Sequence, residues 1–151
     1  MKRILVIALC LILYLVSCSG GVRDKYEEEF LKNKDSYAEI SEILIRHHKE
    51  NDLTGEVSVW CSEDGGKVFY DNEKRIDNPV DQKELNVICE FLSGSRYEYV
   101  SINKDFVEFG NSTGSVFVYL SLTNKRPEKV SDHHTMYNFS GGWYCSVSMA
   151  R

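Results

Sequence analysis

Residues 97–123, YEYVSINKDFVEFGNSTGSVFVYLSLT, decide the fold. Three runs in this stretch have strand composition: Tyr97 to Ile102, Phe106 to Phe109 and Ser115 to Thr123. The connections Asn103-Lys104 and Gly110 to Gly114 are too short for the crossover of about a dozen residues that a parallel pair requires, so the runs pair antiparallel. In the third run Val116, Val118, Leu120 and Leu122 alternate with Phe117 and Tyr119. Both of its faces are apolar, which predicts a central strand covered by a helix on one side.

Working outward, Asp81 precedes Leu85, Ile88, Phe91 and Leu92 at helical spacing, and Gly94 is placed to stop that helix. Further back, Val57, Val59 and Cys61 alternate with Ser58, Trp60 and Ser62, the pattern of a half-buried strand. Asp64-Gly65-Gly66 supplies a hairpin turn into a returning strand at Lys67 to Asp71. Tyr37, Ile40, Ile43, Leu44 and His47 form one apolar stripe of a helix ending near Asn51, and Ser36 with Glu39 matches a capping box, so that a second helix starts there or one long helix is bent there. Tyr26, Phe30 and Leu31 mark an earlier helical stretch. Downstream, Trp143 to Met149 is a last strand, and Asn124 to Gly142 lacks periodicity and reads as a long loop. The order predicts an α+β domain, a mostly antiparallel sheet of about six strands packed on one face by two or three helices.

The first 18 residues carry a different message. Lys2 and Arg3 precede an apolar run from Ile4 to Val16, which is too short to span a bilayer comfortably, and Leu15-Val16-Ser17-Cys18 closes it. That ending resembles a bacterial lipobox. The resemblance implies cleavage before Cys18, a diacylglyceryl group on Cys18 Sγ and acylation of the new amino terminus. The expected organisation is a signal peptide at 1–17, a lipidated cysteine and short tether at 18–24, and one α+β domain at 25–151. The expected place is the bacterial cell envelope, lipid-anchored to the outer or cytoplasmic membrane on its outward or periplasmic side. Two or three acyl chains, at about 0.8 kcal/mol per buried methylene, hold a small domain to a membrane essentially permanently.

Removing residues 1–17 takes two of the 18 basic residues and leaves 16 against 23 acidic ones, a formal charge of −7. No dense stripe of Lys and Arg is present, which argues against nucleic acid as a partner.

Cys61, Cys89 and Cys145 remain in the mature chain. Their spacing matches no disulfide framework, and three buried thiols is the favoured expectation, with Cys89 on a helix. If a bridge forms, Cys61 and Cys145 are the expected pair, since both lie on strands. No Cys-x-x-Cys supports a zinc site.

Chemistry-bearing candidates are few. His47 and His48 are neighbours on a helix, point about 100° apart and cannot readily share a metal. Asp132, His133 and His134 sit in the long loop, where geometry is freer, and are the candidate metal-binding or catalytic set. Cys89 or Cys145 with His133 or His134 lacks any local motif of a thiol nucleophile, and no Gly-x-Ser-x-Gly element occurs. Trp60, Tyr97, Tyr99, Trp143 and Tyr144 fall on expected strands, where aromatics either pack or meet a partner.

The reading that follows is a membrane-anchored, non-enzymatic binding module without a cofactor, held at the membrane through Cys18 and taking a protein or envelope component as partner. An immunity or inhibitor role against an incoming toxin fits its size and acidity. The expected binding face comprises Trp60, Asp132, His133, His134, Trp143 and Tyr144. The alternative is a metal-binding protein or small enzyme using Asp132, His133 and His134.

Overall fold

A computed structural model describes residues 21, 23–62, 65–71, 79–128 and 130–148. The basic start, the apolar run and the lipobox-like ending at Cys18 lie outside the described residues, as does most of the loop after Asp71. The chain divides into two compact units, Met1–Lys34 and Asp35–Arg151. In the first, residues 23–32 form helix α1, with Arg23 Nε 3.4 Å from the Glu27 carboxylate one turn along. Residues 23 and 24, expected as tether, are already helical. Among the described residues, no helix is long and apolar enough to cross a membrane.

The second unit is built from helix α2 (Lys34–Glu50), strands β1 (Val57–Ser62) and β2 (Gly65–Tyr70), helix α3 (Gln82–Gly94), and strands β3 (Tyr99–Ile102), β4 (Phe106–Gly110), β5 (Val116–Ser121), β6 (His134–Asn138) and β7 (Trp143–Ser148). Its seven strands form one sheet in the order β2-β1-β3-β4-β5-β7-β6, antiparallel at every step. The fold is therefore α+β, and β5 is an interior strand, as its two apolar faces require.

Strand alternation sorts the sheet into two faces. Val57, Val59, Val100, Ile102, Val107 and Phe109 are all essentially buried and lie side by side by register. Helices α2 and α3 pack on this face. From α2, the buried Tyr37 ring meets Phe91 of α3 at 5.1 Å, Phe109 at 4.9 Å and Trp143 at 5.7 Å between centroids. The α3 start is capped by Asp81, whose side chain accepts from the Lys83 and Glu84 N–H groups while Glu84 reaches back to the Asp81 N–H. Arg46 of α2 pairs with the same Glu84.

Gly66 fixes how close α3 can come. A Cβ there would lie 2.6 Å from Leu85 and 2.8 Å from Cys89 Sγ, so only glycine lets β2 pass under the helix. At this approach Cys61 of β1 is bonded to Cys89 of α3, with Cα atoms 5.4 Å apart.

Three expectations are corrected. The bridge is not Cys61 to Cys145, and the three cysteines are not all unbridged: Cys61 is bonded to Cys89, and Cys145 is buried outside that bridge. Four strand steps separate β1 from β7, which at about 4.8 Å each puts Cys61 and Cys145 about 19 Å apart, far beyond disulfide reach. The stretch Asn124 to Gly142 contains a seventh strand, β6, at the sheet edge beside β7. Ser36 is not a cap, because α2 begins at Lys34 directly after a turn at Asn33, whose N–H and side-chain amide both donate to the Glu29 carbonyl.

Candidate functional site

The face turned away from α2 and α3 carries Ser58 and Trp60 on β1, Tyr99 on β3, Phe106 and Glu108 on β4, Phe117 and Tyr119 on β5, and Tyr144 and Ser146 on β7. Here the alternation of a half-buried sheet places rings where water would otherwise lie. Phe117, Tyr119 and Met136 are themselves buried, packed against the partly buried Tyr99, Phe106 and Tyr144. This aromatic layer is a second, smaller core. It thins toward β2, where Trp60 and Phe69 are 38% and 53% exposed.

At the centre of the face stands Glu108. The Tyr99 hydroxyl donates to its Oε1 at 2.6 Å, and Tyr119, directly opposite on β5, also bonds to its carboxylate. Burial pushes the Glu108 carboxyl above its ordinary range, and the nearby Glu56 charge adds to the rise, while the two tyrosine hydrogen bonds oppose it. Both phenols are pushed strongly upward, by burial first and then by the neighbouring carboxylate. They stay protonated and serve as donors.

Tyr99 reaches this position because its strand partner is Gly110. A Cβ at residue 110 would lie 2.4 Å from the Tyr99 hydroxyl and 2.9 Å from Phe117. The missing side chain lets the Tyr99 ring lie over β4 and meet Phe117. On its other side Tyr99 stacks on Trp60 with centroids 4.6 Å apart and planes at 25°. These rings wall a groove of about 390 Å³ whose rim holds Glu56, Ser58 and the turn at 111–114. Across Trp60, a second groove of about 450 Å³ runs between that ring, Phe69 and Lys67.

A larger groove of about 610 Å³ lies at the C-terminal end of α3 beside the Cys61–Cys89 bridge. Its polar groups are largely spent on local bonds: the Ser95 hydroxyl donates to the Leu92 carbonyl and accepts from the Tyr97 N–H, and Glu98 accepts from the Ser112 N–H. The far-face grooves, with exposed rings, are the better candidate site.

The expected binding face is split by the structure. Trp60 and Tyr144 lie on the far face, whereas Trp143, adjacent to Tyr144 in a strand, points the opposite way and is buried under Tyr37. His134 is buried on the far face, its Nδ1 3.1 Å from Ser146 Oγ and its ring 5.9 Å from Phe117. Asp132 and His133 are exposed in the turn before β6. The three do not converge, and among the described residues no three His, Cys, Asp or Glu side chains are grouped to hold a metal ion. Glu108 and Gly110 are not candidates in the sequence, and Tyr99 is one only as a strand aromatic, because the meeting of the three depends on strand register. Searches of family models, curated proteins and solved structures found no match to this chain.

Proposed function

We propose that this chain is a bacterial envelope lipoprotein, held at a membrane by lipid on Cys18, whose domain binds a partner through the far face of its sheet and performs no reaction of its own. The anchor rests on the lipobox-like run before Cys18. The observation that carries the binding role is the exposure of Trp60 and Phe69, large rings flanking two grooves at the end of the sheet where the aromatic layer thins. Exposed aromatic surface of this kind is characteristic of contact sites. The rival reading on Asp132, His133 and His134 has no comparable support, since the His134 ring is committed to Ser146.

A photo-crosslinking amino acid introduced in intact cells tests the role. At Ser58, beside the groove, it is expected to yield one discrete adduct, and at Glu42, on the exposed side of α2, none. Equal or absent crosslinking at both positions would contradict the reading.

A further inference from the structure

We propose that the groove walled by Trp60, Tyr99 and Phe117 takes an arginine or lysine side chain presented by a basic partner protein. This inference rests on the binding reading above and names the chemistry of the partner. Three aromatic rings line the groove, and the π face of such rings attracts a cation, that of Trp most strongly. Glu56 stands on the rim and Glu108 lies behind Tyr99. The two carboxylates are close enough for the charge of Glu56 to raise the Glu108 pKa, and among the described residues neither has a cationic partner. Among the described residues, no Lys or Arg lines the groove. A guanidinium inserted here would lie against the aromatic wall and pair with the Glu56 carboxylate on the rim, and its weak hydration makes arginine the better fit. The net negative charge of the chain draws a basic partner from a distance.

A neutral sugar fits less well. Reading ring hydroxyls needs free donors and acceptors, and those on the turn are already used. The Asn111 amide donates to the Arg96 carbonyl and Ser115 Oγ, its oxygen accepts from Thr113 and the Ser115 N–H, and the Ser112 N–H goes to Glu98. Ser58 and Glu56 are left, a small set for a sugar and a suitable rim for a cation.

The test uses the full chain in detergent micelles and a fluorescein-labelled hexa-arginine amide, read by anisotropy, with far-UV circular dichroism to check folding. Saturable binding is expected, weakened about tenfold or more by Trp60→Ala and by Glu56→Gln. Gly110→Ala, which must displace the Tyr99 ring, is expected to weaken it similarly, while Glu42→Gln on α2 leaves it unchanged. No saturable binding, or equal loss with Glu42→Gln, would overturn the inference. Trp60-dependent binding of an N-acetylglucosamine hexamer in place of the peptide would overturn the cationic partner and leave the far face standing as a binding surface. Loss of the discrete adduct at Ser58 would instead remove the binding reading itself.

Discussion

The Tyr99 hydroxyl and the Glu108 carboxylate meet at 2.6 Å across neighbouring strands, in the middle of a sheet face that neither α2 nor α3 covers. Burial raises the Glu108 pKa above its unfolded value, so between those two values the folded state holds more protons than the unfolded one. Stability must therefore fall as pH rises from the unfolded value through the folded one. Glu108→Gln removes the titration and keeps an acceptor for both tyrosines. Urea unfolding across that pH range is expected to show the wild type losing stability relative to the variant as pH rises. Parallel curves would contradict the assignment.

His47 gives the opposite slope. Its Nε2 lies 3.1 Å from the Tyr70 hydroxyl and its Nδ1 3.2 Å from the Asn51 amide nitrogen. Burial lowers its pKa from 6.5, only partly offset by Glu84 and Glu50. The folded state then binds fewer protons than the unfolded one, and the His47 contribution is lost as pH falls through the unfolded value toward the folded one. Unfolding midpoints measured from about pH 8 to about pH 5 are expected to fall in the wild type and to be flatter in His47→Gln.

The Cys61–Cys89 bridge ties the helix layer to the sheet and closes a loop spanning 28 positions. Constraining the unfolded chain over such a loop is worth about 3.6 kcal/mol. Replacing both cysteines with serine is expected to lower the free energy of unfolding by about that amount, read from denaturant melts, with Cys145 unreactive until the fold opens. An unchanged midpoint would show that the bridge does not form in solution.

Much of this architecture was legible because the alternation in Val57 to Ser62 and Ser115 to Thr123 and the 3.6-residue spacing in Tyr37 to His47 are strong local signals. The strand His134–Asn138 escaped because it sits at an edge with one neighbour and mixes polar and apolar residues, although Ser140-Gly141-Gly142 before Trp143 marks its hairpin. The bridge escaped for another reason: it joins a strand to a helix across layers, and which strand lies under α3 is set by sheet order, which no local pattern encodes. Trp143 and Tyr144 were placed together on one face, yet alternation alone already put these neighbours on opposite sides. Glu108, Gly110 and Tyr99 come together only through register.

The proposed place of the domain is a membrane surface, and the intact mass of the protein taken from its native membrane fraction tests this most directly. The expected spectrum shows a chain beginning at Cys18 with added acyl mass. Alkylation under denaturing conditions should label one thiol before reduction, Cys145, and three after it, as Cys61 and Cys89 are released. A chain that retains Met1 and carries no lipid, or one found free outside the cells, would contradict it.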